Sequence, residues 1–447
     1  MKKAALHNLG CKVNSYELDA IKDQLLQDGY QVVAFDEKAD IYVINTCSVT
    51  NIADRKSRQM LHKAKKQNPE SVVVAIGCYV QTATKEALMK EGIDLCIGNN
   101  QKGRFVEILR EYLEAKGKGE QTIDVLDLNG SMAYDEMFME STSGHTRAFI
   151  KIQDGCNQFC TYCIIPFARG RVRSRAKESV LEEIGQLARK GYKEFVITGI
   201  HLSSYGTDFI YDDVKADRFR PDYLLELIGQ VCAIEGVERI RLGSLEPRII
   251  CDDFVSSLAK LDKVCPHFHL SLQSGCDETL KAMNRHYSAA EFKEKCGIIR
   301  RYYEHPAITT YVIVGFPGES DEHFKACEDF LKDIHFFEMH IFKYSRRKGT
   351  IADKMPMQHT DATKSKRSDA LELIERQDSD EFRRYYIGKE STVLFEETKV
   401  VDGKSMWVGH TPEYVKVLVE SDADLTNEIK PVAFDAILGE YLIGQLI

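Results

Sequence analysis

Hydrophobic and polar positions over the first hundred residues fall into short blocks of two kinds. AALHNL, DIYVIN, SVVVAI and DLCIG are apolar runs of strand length, suited to parallel strands buried on both faces. Between them, SYELDAIKDQLLQDGY carries Leu18, Ile21 and Leu25 at helical spacing, with Gly29 where a C-terminal cap belongs. This alternation predicts a doubly wound parallel sheet over residues 1–115. AKGKGEQ, Ala115 to Gln121, reads as a linker, which irregular sequence extends over 116–145. From 146 the alternation resumes. AFIKIQ, EFVIT, RIRLG, FHLSL, ITTYVIV and EMHIFKY are six strand candidates separated by helical stretches such as ESVLEEIGQLARKG. They predict a (β/α)6 open barrel, a partial TIM barrel, over 146–380, with chemistry at the carboxyl ends of its strands. A charged helix is expected near 365–384. Beyond Gly388, STVLFEE, MWVGHT, YVKVLVE and YLIGQL are β-rich runs that predict a small β-barrel over 381–447.

Composition agrees with this organisation. The chain has 447 residues, 43% of them hydrophobic, enough for about three domains with their own cores. No apolar run approaches the roughly 18 residues of a membrane span, and MKKAALHNLGCKVN lacks the apolar stretch of a signal peptide. A cytoplasmic protein without a membrane partner is expected. The net charge of −9 argues against a generally basic nucleic-acid coat. Local basic faces remain available in RKSRQMLHKAKK, KYSRRK and KSKR.

The thirteen cysteines change the picture most. An odd number in a reducing compartment argues for metal or cluster ligation over a disulfide framework. DGCNQFCTYCIIP places Cys156, Cys160 and Cys163 at C-x3-C-x2-C after the first barrel strand. Zinc is the ordinary alternative, but zinc ribbons pair two knuckles and close with four ligands. Three neighbouring thiolates suit three irons of a four-iron cluster, leaving one iron open to a ligand outside the protein. Cys11, Cys47 and Cys78 each follow a strand of the first sheet. In an open parallel sheet such turns gather at one edge. Three buried structural thiols are the alternative there. Cys96, Cys232, Cys251, Cys265, Cys276, Cys296 and Cys327 show no ligand spacing.

C-x3-C-x2-C after the first strand of a six-unit β/α domain resembles the radical S-adenosylmethionine (SAM) superfamily. With a three-cysteine α/β domain upstream and a β domain downstream, nearly the whole chain resembles the methylthiotransferases of that superfamily. Their parts are an N-terminal methylthiotransferase domain, a radical SAM core and an RNA-binding TRAM domain. LGCKVNSYE and TRAFIKIQDGCNQFCTYCIIPFARGRVRSR are most similar to members acting on threonylcarbamoyladenosine in tRNA. Isopentenyladenosine enzymes read more like GCQMN at the first motif, and ribosomal-protein enzymes more like GCPKN.

The resemblance implies two 4Fe-4S clusters, one on Cys156, Cys160 and Cys163 that cleaves SAM, and an auxiliary one on Cys11, Cys47 and Cys78. It implies methylthiolation of carbon 2 of N6-threonylcarbamoyladenosine in the tRNA anticodon loop, with an external electron donor and sulfur source. Alternatives are the same chemistry on isopentenyladenosine or a ribosomal-protein aspartate, and a non-catalytic iron–sulfur RNA-binding protein. For SAM it implies Thr198, Gly199 and His201 after the second barrel strand, Ser271 and Gln273 after the fourth, and Gly315 and Pro317 after the fifth. ARGRVRSR sets Arg169, Arg171, Arg173 and Arg175 beside the cluster loop, where a guanidinium fork suits the threonyl carboxylate or a phosphate; a solvated charge run is the plain alternative. From Arg383 onward seven Lys or Arg face eleven Asp or Glu, so RNA contact by the β domain is expected through a local face, with Trp407 or Tyr414 stacking on a base; a structural cap is the alternative.

Overall fold

The computed structural model describes every residue except 116–120, 129, 131, 143–145 and 211–218, so part of the expected linker lies outside the described residues. The chain first forms a six-stranded sheet from β1 (Lys3–Asn8), β2 (Gln31–Val33), β3 (Ile41–Thr46), β4 (Val72–Gly77), β5 (Leu95–Ile97) and β6 (Thr122–Asp124). Its order is β2-β1-β3-β4-β5-β6 and every pairing is parallel. Every residue of β3 and β4 is buried, as central parallel strands covered on both faces must be. The order reverses between β1 and β3, and at that switch the crevice outside the strand ends is open to ligands.

The expected linker is more than a tether. Residues 122–124 supply the edge strand β6, paired with β5. Farther along, Met137 and Met139 are buried in the main core, and Asp135 accepts from the backbone of Lys102 at 2.8 Å. The polar, irregular composition of 116–145 concealed both roles, because a three-residue edge strand shows no periodicity.

The central domain contains all six expected strands: β7 (Ala148–Asp154), then after a short antiparallel strand β8 (Arg173–Ser174), β9 (Glu194–Gly199), β10 (Arg239–Leu242), β11 (His267–Gln273), β12 (Ala307–Val314) and β13 (Glu338–Lys343). The order is β10-β9-β7-β8 and β11-β12-β13, and single bridges at Ile240–Val264 and Leu245–Leu270 join the halves into an open barrel. The helix Asp361–Arg384 leads into a closed barrel of β14 (Glu390–Val401), β15 (Lys404–His410), β16 (Lys416–Val419), β17 (Ile429–Leu438) and β18 (Tyr441–Leu446). No helix among the described residues is long and apolar enough to cross a membrane.

A buried ionic cluster joins the first two domains. Glu17 and Asp154 are surrounded by Lys102, Lys151 and Arg169: Lys151 Nζ lies 2.9 Å from Glu17 and 2.6 Å from Asp154, and Lys102 pairs with Glu17. Burial works to raise the Glu17 carboxyl, but the three cations outweigh it and hold it well below the usual carboxylate range. A second seam holds the barrel. Arg239 donates to the carbonyls of His410 at 3.0 Å and Thr392 at 2.9 Å, and Arg241 to Pro412 at 2.7 Å while pairing with Glu194.

Candidate metal centres and active site

The loop after β7 is shaped before any sulfur is considered. Gly155 has φ +72°, and a Cβ there would lie 1.8 Å from the Arg171 carbonyl oxygen, so the DGC turn needs glycine. Cys156 N donates to Gly170 O at 3.1 Å, and Thr161 is tied to Met283 O, Ala282 O and Ala352 N. Asn284 donates to the carbonyls of Gln158 and Phe159. These bonds present Cys156, Cys160 and Cys163 together. Burial, and then the neighbouring Cys160 and Cys163, push the Cys156 thiol up; burial and Cys160 push Cys163 up to about 12. Ionising Cys156 and Cys163 side by side calls for a cationic centre among the sulfurs, and among the described residues no group of ligands that could hold a single metal ion includes the trio. The donor set therefore fits an iron–sulfur cluster.

The second trio stands at the switch point of the first sheet. Cys11 caps the helix Lys12–Gln27 after β1, Cys47 follows β3, and Cys78 opens a short helix after β4. Gly77, at φ +96°, turns the chain there, where a Cβ would meet Asn45 Oδ1 and Thr46 O at 2.5 Å. Burial and then Cys78 push the Cys47 thiol up to about 11, and Cys11 feels both Arg169 and Cys78. Asn99 donates to Ala168 O at 2.7 Å and reaches Cys78 Sγ at 3.8 Å, linking this trio to the segment after the other. The helix Cys78–Thr82 also packs against the helix Ile165–Arg169 that follows Cys163, so the two trios stand on either side of one domain junction. Cys11 is solvent-accessible in this arrangement.

The residues expected to meet SAM lie around the first trio. Gly199 packs against Gln153, whose Oε1 would sit 2.9 Å from a Cβ and accepts from His201 N at 2.7 Å. Thr198 is buried beside it, and His201 hydrogen-bonds Ser204 and faces Glu246 at 3.6 Å. Ser271 O accepts from Arg285 and Tyr287, and Gln273 adopts φ +74° at the bulge ending β11. Gly315 N donates to Glu319 at 2.7 Å, Phe316 meets Tyr162 of the cluster loop edge-on, and Pro317 lines a cleft of about 290 Å³.

Sequence reading missed a central group. Arg285 donates to Cys160 Sγ at 3.3 Å and pairs with Glu246 at 3.3 Å; Arg248 joins Glu246 at 2.8 Å and Gln158 at 2.9 Å. Burial opposes ionisation of Glu246, but its hydrogen bond with His201 and the guanidinium of Arg285 hold its pKa down to about 2. Glu246 follows β10, so the strand-end rule used for the other turns was a signal for it.

The arginine run needs correction. Arg169 and Arg175 are fully buried and internal: Arg169 bridges Glu17 and Asp154, and Arg175 pairs with Glu183 and with Glu136 at 3.1 Å. Arg173 is buried too, donating to Arg171 O at 3.1 Å. Of the four, Arg171 is the exposed one, stacked over Phe159 with its guanidinium carbon 4.5 Å from the ring centre. The aromatic expectation for the barrel is corrected as well. Trp407 belongs to the barrel core, and Tyr414 lies in the seam, stacked on His410 at 4.5 Å and beneath Arg147 and Arg241.

Known proteins resemble the chain along its length. Residues 3–98 match the family described as uncharacterized protein family UPF0004, and residues 150–331 match the radical SAM superfamily. The threonylcarbamoyladenosine tRNA methylthiotransferase MtaB of Bacillus subtilis (strain 168) is 38% identical, with 100% of this chain and 97% of that protein aligned. The protein of the same name from Aquifex aeolicus (strain VF5) is 39% identical over 88% of this chain and 92% of its own. The tRNA-2-methylthio-N(6)-dimethylallyladenosine synthase of Acetivibrio thermocellus (strain ATCC 27405) is 32% identical over 100% of this chain and 91% of its own. Among solved structures, the radical S-adenosylmethionine methyltransferase TsrM from Kitasatospora setae, with cobalamin and a 4Fe-4S cluster bound, has a TM-score of 0.57 at 15% identity, covering 79% of this chain and 77% of that one. That likeness is one of fold.

Proposed function

The chain belongs to the radical SAM methylthiotransferase family, and from that premise we propose that it methylthiolates carbon 2 of N6-threonylcarbamoyladenosine beside the tRNA anticodon. Superfamily membership implies one 4Fe-4S cluster and SAM. Cys156, Cys160 and Cys163 would hold that cluster, and Cys11, Cys47 and Cys78 a second. When bound, these groups supply the radical that removes a hydrogen and the methylated sulfur that takes its place. An external electron donor and a sulfur source complete the requirements.

The observation that carries the reading is the packing of the Cys78 helix against the helix that follows Cys163, bridged by Asn99, which sets the two thiol trios at one junction. A lone trio accounts for radical formation; a second trio, opposite the first, accounts for delivery of sulfur to the same carbon. The chain's own residues prepare the site. Gly199 leaves room for Gln153 and Gly315 for Lys364, so that the turns carrying them, with Thr198, His201, Ser271, Gln273 and Pro317, can form around the place proposed for SAM. Glu246 holds Arg285 and Arg248 in place, so that the Arg285 guanidinium donates to Cys160 and offsets thiolate charge. Arg171, exposed on the ring of Phe159, is available to a phosphate of the anticodon loop.

The experiment is mass spectrometry of tRNA nucleosides from a strain lacking the gene. Loss of the methylthio-threonylcarbamoyl nucleoside with the methylthio-isopentenyl nucleoside retained is expected. Persistence of the former would overturn the reading. Anaerobic reconstitution addresses the non-catalytic alternative: about eight irons per chain are expected from two three-cysteine clusters, together with 5′-deoxyadenosine formation.

A further inference from the structure

The last strand of the open barrel, β13, ends at Lys343 and runs on through KYSRRK, one of the basic stretches of the sequence. Lys343, Arg346 and Lys348 are exposed there, but Arg347 is buried. Its guanidinium crosses to the first domain, into the turn that carries Cys47. Nη2 donates to Ser48 Oγ at 2.7 Å, and Nη1 to Asn51 Oδ1 at 2.8 Å and Asp54 Oδ2 at 2.7 Å. Asn51, which opens the helix Asn51–Gln67, answers with its own donors: its N bonds Ser345 Oγ at 3.1 Å and its Nδ2 bonds Arg346 O at 3.0 Å. Ser48 Oγ also lies 3.1 Å from Thr82 Oγ1, and Thr82 closes the short helix opened by Cys78. One arginine thus reaches two of the three turns of that trio.

The same segment then meets the other trio. Ala352 N donates at 2.8 Å to the carbonyl of Thr161, which stands between Cys160 and Cys163. Ala352 sits in an apolar cluster with Met283, Phe316 and Tyr344, against which Tyr162 packs. The chain between the two contacts is fixed: Thr350 is buried, and both its hydroxyl, at 2.8 Å, and its N, at 3.2 Å, donate to Arg347 O.

Residues 345–352 are therefore a strap with one end on the Cys47 turn and the other on the loop of Cys160 and Cys163. The ionic cluster around Glu17 fastens the first domain beside β7, the first strand of the open barrel, and the strap fastens it beside β13, the last. A buried guanidinium is stable only with its partners in place, and its planar fork fixes their directions. We propose that Arg347 is a positioning residue for the reaction. Through Ser48 and the strap it sets the Cys47 and Cys78 turns against the radical-forming loop, so that sulfur and radical meet at one carbon. This deepens the functional reading above and rests on its assignment of the two trios.

The test uses the full chain, iron-free and iron-loaded. In the iron-free chain, Arg347→Met should speed hydrogen exchange of peptides covering residues 48–54 by about 10- to 100-fold, the range of a charge-assisted hydrogen bond. In the iron-loaded holoenzyme, given a threonylcarbamoyladenosine anticodon stem-loop, methylthio product is counted per 5′-deoxyadenosine by mass spectrometry. Arg347→Met should keep iron content and SAM cleavage while that ratio falls by about 10- to 100-fold, the effect of a misplacement of about 1 Å. Arg347→Lys should fall between the two, since it keeps the charge and loses the fork. Asp54→Ala frees Arg347 from outside the turn and should lower the ratio as well, so the idea stays open to refutation if the methionine variant does not fold. A fully loaded Arg347→Met or Asp54→Ala enzyme with the wild-type ratio overturns the assignment. So does a variant that loses iron while the chains still loaded keep the ratio, because the residue is then purely structural. A wild type that forms 5′-deoxyadenosine but never methylthiolates this RNA overturns the functional reading, and this assignment with it; unchanged exchange in the iron-free Arg347→Met chain overturns the assignment alone.

Discussion

Replacing Arg169 by methionine tests whether the arginine beside the cluster loop is internal or addresses the substrate. Its Nη1 lies 2.7 Å from Glu17 and 3.1 Å from Asp154, and its Nη2 lies 3.1 Å from both Glu17 and Asn14. Removing one partner of a buried ion pair costs about 3–5 kcal/mol. The charge balance says where each substitution falls. Lys102, Lys151, Arg169 and Arg173 surround Glu17 and Asp154, four cations to two anions. Arg169→Met leaves three cations for two carboxylates, still neutralised, so about 3 kcal/mol is expected. Glu17→Gln leaves four cations facing one carboxylate, so about 5 kcal/mol is expected. The ordering is the sharp part, since a total stability of about 5–15 kcal/mol would be visibly eroded by either. The assay is urea unfolding followed by circular dichroism and limited proteolysis, with the double variant included. Because the two side chains touch, the double variant should be more stable than the summed singles by about 0.5–3 kcal/mol. An Arg169→Met protein that unfolds at the wild-type urea concentration but loses tRNA affinity would refute the reasoning and restore the residue to the substrate face.

Further outcomes follow from other parts of the structure. Cys156→Ala should lose about four irons together with SAM cleavage, whereas Cys78→Ala should lose about four irons and methylthiolation but keep 5′-deoxyadenosine formation, as read by iron assay and chromatography. Glu194 is fully buried; burial opposes its ionisation, but Arg241 and its neighbours hold its pKa down to about 2, against about 4.3 unfolded. A lowered folded pKa means its contribution, at most about 3 kcal/mol, is complete above about pH 4.3 and lost as pH falls toward 2. Proteolysis across the barrel seam should therefore rise as pH falls below about 4.3, and less steeply in Glu194→Gln, in the range set by about 1.4 kcal/mol per pH unit. Gly155→Ala combines a left-handed φ with a Cβ 1.8 Å from Arg171 O, so a loss of cluster loading with a cost of about 2 kcal/mol or more is expected. Tyr414→Ala should loosen the barrel against the core, seen as earlier proteolytic release, and lower RNA affinity only in step with that release.

Much of this architecture is legible because it rests on local, periodic signals. Apolar runs such as IYVINT and VVVAIG suit central parallel strands, and parallel strands bring the turns after β1, β3 and β4 to one edge. Cys11, Cys47 and Cys78 could thus be grouped before any coordinates. The edge strand Thr122–Asp124 escaped because three residues carry no period, and its pairing depends on β5.

The order of α/β sheet, open barrel and closed barrel, and the two sets of three thiols, can be read from the chain alone. Spacing within one loop and strand-to-helix alternation are properties of the chain, set by steric and hydrophobic periodicity. Which charges are spent internally and which stay exposed emerges with folding. ARGRVRSR reads as four equivalent arginines, yet Arg169 meets Glu17 across 152 positions and Arg175 meets Glu183 and Tyr16, while Arg171 stays outside. The reason is physical: a charge's role depends on its distance to opposite charges and on the water around it, and folding sets both between residues far apart in sequence.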